Sequence, residues 1–273
     1  MTEQASTTPS LDPTPSIAQN AAPSLFNLQG KHALITGATR GIGAACALAL
    51  AQAGVRCCLV VRPGTQTEAV LKPLPGSNHT TVEADLSDMQ QVKSIFDRAL
   101  PLLENKIDIL VNCGGIQRRS PAVDFAEQDW NDVINVNLNS VFFLCQAAGK
   151  HMIPKRQGKI INFCSLLSYQ GGLTVPAYAS AKAAVANLTR SLSNEWSKHN
   201  INVNGITPGY IATDMNEKLL ADPVRLRQIS ERIPAGRWGN PDDFAGPILF
   251  LASEASKYIS GEVLVVDGGW MGR

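Results

Sequence analysis

Beyond residue 30 the chain alternates short, nearly unbroken apolar runs with longer stretches in which polar positions recur at helical spacing. The runs at 32–36, 55–61, 80–83, 107–112, 159–164, 201–207 and 262–266 read as strands. Their continuous apolarity marks strands covered on both faces. The stretches at 42–53, 88–103, 127–150, 177–198 and 241–252 read as helices. Asp88 and Pro241 are suitable helix starts, and Gly54 is a natural stop. Strand and helix in alternation predict an α/β protein with one doubly wound parallel sheet, helices on both faces and right-handed crossovers. Between 212 and 239 the rhythm breaks, and this segment is expected to be a mobile insert covering a substrate.

Composition narrows the class. At 273 residues, 44% apolar and 17% charged, the chain suits one large domain with a sizeable core. The net charge of +1, from 24 basic and 23 acidic side chains, argues against nucleic acid or a membrane surface as a partner held by bulk electrostatics. No apolar run is long enough to cross a bilayer. The six cysteines, Cys46, Cys57, Cys58, Cys113, Cys145 and Cys164, include no Cys-x-x-Cys pair, so buried reduced thiols are expected and no metal site. Residues 1–24 are rich in Ser, Thr, Pro and Ala and lack Lys, Arg and an apolar core, which predicts a disordered tail without a targeting signal. Residues 25–273 are then the catalytic domain, and the cytoplasm is the expected location.

The first strand runs into Thr36-Gly37-Ala38-Thr39-Arg40-Gly41-Ile42-Gly43. A glycine-rich turn between a strand and an Ala-rich helix suits a dinucleotide pyrophosphate: Gly37 permits the turn, Gly41 allows close backbone approach, and Gly43 lets the helix pack on the strand. The second strand ends at Arg62, with no carboxylate to meet a ribose 2′-hydroxyl. Arg62 and Arg40 together favour NADP(H), because guanidinium donors match phosphate oxygens; NAD(H) is the alternative. Asp85 and Leu86 follow the third strand, where a carboxylate can meet the adenine amino group. Asn112-Cys113-Gly114-Gly115 closes the fourth, where small residues let the chain pass near a cofactor.

Tyr178 and Lys182 stand four residues apart at the start of a helix, on one face. A phenol of ordinary pKa near 10 is a poor proton shuttle at neutral pH, and a neighbouring ammonium is expected to lower it. Ser165 lies just beyond the fifth strand, within reach of the same carbonyl oxygen, and Asn137 sits in a helix expected alongside. Taken singly each has a plainer explanation, surface decoration for the Tyr/Lys pair and a cap for Ser165.

Together with the glycine loop, these residues resemble the short-chain dehydrogenase/reductase family from about Leu28 to the end. Thr36 to Gly43 resembles its cofactor motif, and Asn112 to Gly115 its Asn-Asn-Ala-Gly motif, with Cys113 and Gly114 in place of the usual Asn and Ala. Asn137, Ser165, Tyr178 and Lys182 match its catalytic tetrad. Pro208-Gly209, with Ile211 and Thr213, resembles the segment that holds the nicotinamide carboxamide. The resemblance implies a Rossmann-type fold of seven strands in the order 3-2-1-4-5-6-7, hydride transfer between nicotinamide and a ketone or secondary alcohol, and commonly a tetramer. In that scheme Tyr178 is the general acid/base, Lys182 holds the nicotinamide ribose, Ser165 binds the substrate oxygen, and Asn137 positions a water that links Lys182 to solvent.

Ile116-Gln117-Arg118-Arg119, Ser168-Tyr169-Gln170-Gly171-Gly172, Asn194-Glu195-Trp196, residues 233–239 and Val266-Asp267-Gly268-Gly269-Trp270 resemble a narrower group, the sugar-acid dehydrogenases acting on 2-deoxygluconate or 2-keto-3-deoxygluconate. Arg118 could clamp a carboxylate. Leu167, Gln170 and Met215 flank the expected substrate pocket, and its apolar members would equally suit an apolar ketone. Three readings stay open: an NADP(H)-dependent ketone reductase, an NAD-dependent sugar-acid dehydrogenase, and a catalytically silent binding protein on the same fold. Apolar positions on 127–150 and 177–198 exceed one buried stripe, which suggests a subunit contact, and with the tetramer that the resemblance implies a homotetramer or dimer is expected.

Overall fold

The computed structural model describes residues 22–273. The expected tail lies outside the described residues, apart from Ala22 to Ser24, which enter a short 3-10 helix, Ala22–Phe26. There follow β1 (His32–Thr36), α1 (Gly41–Gln52), β2 (Arg56–Val61), α2 (Thr67–Leu71), β3 (Thr80–Glu83), α3 (Met89–Leu102) and β4 (Ile109–Asn112). The second half holds α4 (Glu127–Ile134), α5 (Ser140–Lys155), β5 (Gly158–Phe163), α6 (Pro176–Trp196), β6 (Ile201–Pro208), α7 (Glu217–Leu220), α8 (Pro223–Arg232), α9 (Ala245–Ala252) and β7 (Val263–Val266).

The strands form one seven-stranded sheet in the order β3-β2-β1-β4-β5-β6-β7, with every pairing parallel. This is the predicted doubly wound, Rossmann-type sheet. The pleat explains why the central strands carry apolar residues at successive positions: neighbouring side chains enter opposite layers. Along β1, Leu34 joins a core with Phe96, Leu144, Met152 and Val185, from α3, α5 and α6. Its neighbours Ala33 and Ile35 join a second core with Leu50, Phe244 and Ile248, on the α1 and α9 side. A charge placed at Ala33, Leu34 or Ile35 would therefore enter one apolar layer or the other.

Helix starts follow local chemistry. Asp88 caps α3, its carboxylate accepting from the backbone N–H groups of Gln90 at 2.8 Å and Gln91 at 3.2 Å. The predicted helix at 127–150 is interrupted: a π-helical turn, Asn135–Asn139, separates α4 from α5, which then runs to Lys155. The helix expected from Pro241 opens as a 3-10 turn, Pro241–Phe244, before α9. The insert at 212–239 is organised around α7 and α8, and Ile229 and Ile233 pack with Leu166 and Trp270. Strand order reverses between β1 and β4, which opens a crevice at their C-terminal ends. Among the described residues no helix is long and apolar enough to cross a membrane.

Candidate active site

The crevice is a cavity of about 450 Å³. Predicted residues Gly37, Thr39, Arg40, Gly41, Ile42, Gly43, Arg62, Asp85, Leu86, Gly114, Thr213 and Met215 all line it. Gly37 has φ +70°, and a Cβ there would lie 2.6 Å from the backbone nitrogen of Gly114, so only glycine brings these two loops together. Gly114 N–H is in turn held by the Thr36 hydroxyl at 3.0 Å. No side chain caps the start of α1. Its first N–H groups, which have no acceptor within the helix, belong to Gly41, Ile42 and Gly43, all of which line the cavity, and are donors suited to an anion. The donor set and the cavity fit a dinucleotide, which the α1 start, Arg62 and Asp85 would hold.

Gly115 and Ile116 also line the cavity, and a second group of side chains packs behind them. A Cβ on Gly115 would lie 2.7 Å from Asn137 Oδ1 and 3.9 Å from Lys182 Nζ. The π-helical turn presents Asn137, whose Nδ2 donates to Val133 O at 2.8 Å and Ile116 O at 2.9 Å while Oδ1 accepts from Ile116 N at 3.3 Å. Most of the amide is thereby committed to holding the 116 backbone. Lys182 Nζ donates to Phe163 O at 2.6 Å and lies 5.8 Å from the centre of the Tyr178 ring. Ser165 lies close enough to Tyr178 for its hydroxyl to favour the ionised phenol. The helical spacing of Tyr178 and Lys182 on α6 and the position of Ser165 beyond β5 thus bring the three side chains together, next to the cavity wall but not among the residues that line it.

Ser168, which the sequence reading missed, orders the group. Its hydroxyl donates to Lys182 O at 2.7 Å and accepts from Ser165 N at 3.2 Å, tying α6 to the turn that carries Ser165. A capping-box spacing of Ser165 and Ser168 was the available signal.

The expected acidification of the phenol is corrected. Burial pushes Tyr178 up to about 12, and the nearby Ser165 hydroxyl offsets this only in part. Burial likewise pushes the Lys182 ammonium down. Both shifts favour the neutral forms, because charge is poorly solvated here. Cys113, also in the cavity wall, is pushed up to about 12 by burial, with Lys182 opposing. All six cysteines are free.

Several predicted residues sit elsewhere. The Asn112 side chain lies in the core, donating to Asn162 Oδ1 at 2.9 Å and to Cys145 Sγ at 3.4 Å, so it braces β4 against β5 and does not line the cavity. Ile211 is buried in the α1–α9 core and pairs with Gly239. Pro208 ends β6, and Gly209 N–H donates to Val266 O at 2.9 Å, bracing the chain against β7. Arg118 is ion-paired with Asp129 at 3.2 Å, so it is not a free carboxylate clamp. Leu167 packs against Tyr178 and Val175, and Gln170 donates to Met271 Sδ at 3.2 Å.

A crevice at the reversal of strand order is where sheets of this kind take dinucleotides, and a phenol next to its wall is a group able to exchange a proton. The chain is thereby placed among the nicotinamide-dependent oxidoreductases that act on CH–OH and carbonyl groups. Comparison agrees. A family model described as enoyl-(acyl carrier protein) reductase matches residues 37–271. The chain is 49% identical over 255 residues to 2-dehydro-3-deoxy-D-gluconate 5-dehydrogenase of Escherichia coli (strain K12), covering 92% of this chain and 99% of that one. It is 45% identical, with a TM-score of 0.85 and coverage of 91% and 99%, to a candidate 2-deoxy-D-gluconate 3-dehydrogenase from Agrobacterium tumefaciens solved with bound NADP. A gluconate 5-dehydrogenase from Burkholderia cenocepacia J2315, solved with NADP and tartrate, is 38% identical with a TM-score of 0.87 and coverage of 93% and 100%. The chain belongs to the short-chain dehydrogenase/reductase family.

Proposed function

We propose that the protein interconverts a keto group and a secondary alcohol on a gluconate-type sugar acid, with NADP(H) as the favoured cofactor and Tyr178 as the group that exchanges the proton. The observation that carries this reading is the grouping of Tyr178, Ser165 and Lys182 behind Cys113 and Gly115, which line the glycine-rich cavity. The sugar-acid substrate rests on the relatives, which are named for gluconate and deoxygluconate chemistry. The Val136, Ile116 and Met215 side chains in the cavity wall favour a second substrate class, a less polar ketone.

The bound nicotinamide would supply or accept the hydride. The neutral phenol of Tyr178 donates its proton to the substrate oxygen in reduction and recovers it in oxidation. Ser165 orients that oxygen through its hydroxyl. Lys182, moored to Phe163 O, offers donors toward the ribose beside Gly115. Asn137 acts chiefly by fixing Ile116, and the remaining capacity of its Oδ1 is the place for a water that relays protons from Lys182. General acid–base help of this kind is worth about 10²- to 10⁴-fold, the remainder coming from orientation.

We also propose a homotetramer or dimer in the cytoplasm. Trp130 on α4, Phe142 on α5 and Val265 on the edge strand β7 are large apolar side chains left exposed, and six unpaired thiols suit a reducing compartment. The test of function is a screen of 2-keto-3-deoxygluconate, 5-ketogluconate and simple ketones by NADPH and NADH absorbance. Turnover confined to the keto acids is expected; turnover of simple ketones alone would transfer the reading to the second class, and no cofactor binding would indicate a silent scaffold.

A further inference from the structure

Arg40 and Asp214 are 174 positions apart, yet Arg40 Nη1 donates to Asp214 Oδ2 at 2.7 Å. Arg40 belongs to the glycine loop, and Asp214 opens the 3-10 turn that starts the insert after β6. Both line the cavity. The insert rests on the loop here as well, since a Cβ on Gly41 would lie 3.4 Å from Thr213 Cγ2. Arg62, across the same cavity at the end of β2, has no ion-pair partner among the described residues. Of the two guanidinium groups that line the cavity, one is therefore matched by a carboxylate and one is not.

Discrimination between NADP(H) and NAD(H) is a difference of affinities, so a repulsive or charge-cancelling group counts as much as an attractive one. Asp214 does both. It occupies Arg40, and it places a negative charge on the wall that a 2′-phosphate must approach. The pair is well exposed, with side-chain exposures of 72% and 63%, so it is weak enough for a phosphate to displace. Resting on the reading that Arg40 and Arg62 receive the 2′-phosphate, we propose that Asp214 is a specificity-determining residue for the cofactor: by holding Arg40 it tempers the preference for the 2′-phosphate and keeps NADH usable.

Binding alone tests this, through titration of NADPH, NADH, 2′,5′-ADP and 5′-AMP into wild type, Asp214→Asn, Arg40→Gln, Arg62→Gln and the Asp214→Asn/Arg40→Gln double variant. The Asp214→Asn change should raise the NADPH:NADH affinity ratio by about two- to fivefold, the scale of an exposed ion pair, with NADH itself little altered. In the Arg40→Gln background that gain should vanish, because no guanidinium remains to be released. An unchanged ratio in Asp214→Asn, or an equal gain without Arg40, would overturn the proposal. If Arg40→Gln and Arg62→Gln both leave 2′,5′-ADP binding untouched, the 2′-phosphate site itself has been misplaced, and the proposal falls with it.

Discussion

Lys182 sends its Nζ to the carbonyl oxygen of Phe163, 2.6 Å away at the end of β5. That bond fixes the first turns of α6 against the strand that delivers Ser165, and it leaves the ammonium 5.8 Å from the Tyr178 ring centre. The lysine is a moored donor beside the phenol, and burial dominates the protonation of both.

The sign of that effect can be read by titration. Because burial raises Tyr178 to about 12, the phenol holds its proton throughout the neutral range in the cofactor-free protein. The wild-type minus Tyr178→Phe difference in phenolate absorbance should stay flat up to about pH 10, where an ordinary phenol would be half ionised. A transition near neutrality would contradict this. The same shift makes reduction, which needs the neutral phenol, insensitive to pH near 7, whereas kcat/KM for oxidation rises with pH.

Arg62→Asp should reverse cofactor choice. A charge-assisted bond to the 2′-phosphate is replaced by repulsion, so NADPH affinity should fall by about tenfold or more while NADH binding survives. Fluorescence titration of the two reduced cofactors measures it, and unaltered NADPH binding would remove Arg62 from the site.

Ser168→Ala removes one acceptor and one donor at once, leaving Ser165 N without this partner and Lys182 O with only its bond inside α6. Stability should fall by about 1–3 kcal/mol. Since the hydroxyl positions Ser165 and not the cofactor loop, kcat should drop more than cofactor affinity does. A matched loss in both would assign Ser168 a purely structural part.

Asp243 offers an acid-limb test. Its carboxylate accepts from Arg237 Nη1 and Nη2, each at 2.8 Å, and from Asn240 N at 2.7 Å, which pulls its pKa from 3.8 to about 2. A depressed carboxyl stabilises the fold above its unfolded value and loses that contribution as pH falls through the folded one. Asp243→Asn should therefore lower stability at pH 7 by up to ~1 kcal/mol, given the pair's exposure, and the gap should close as pH falls from 3.8 toward about 2. Thermal melts across that window check it; a gap that persists at the acid end would contradict it.

Local chemistry made much of this molecule legible in advance. The Asp88 cap, the glycine loop and the four-residue step from Tyr178 to Lys182 are each written within a few positions. What escaped depends on tertiary approach. The π-helical turn at Asn137 interrupts a pattern that reads as one helix, because its cause is the bonding of Asn137 to Val133 and Ile116. The Arg40–Asp214 pair and the Arg118–Asp129 pair join residues whose charges look free in one dimension. Asn112 was assigned to the cofactor and instead meets Asn162 in the core, a partner 50 positions away. Spacing shows that Tyr178 and Lys182 are neighbours, but not how deeply they are buried, and depth decides the direction of the pKa.

The account rests most directly on single-turnover hydride transfer in Tyr178→Phe, with NADPH affinity measured on the same sample. It predicts unchanged cofactor binding with transfer slowed by about 10²- to 10⁴-fold. Transfer at the wild-type rate, with the phenol gone and the cofactor bound, would contradict it.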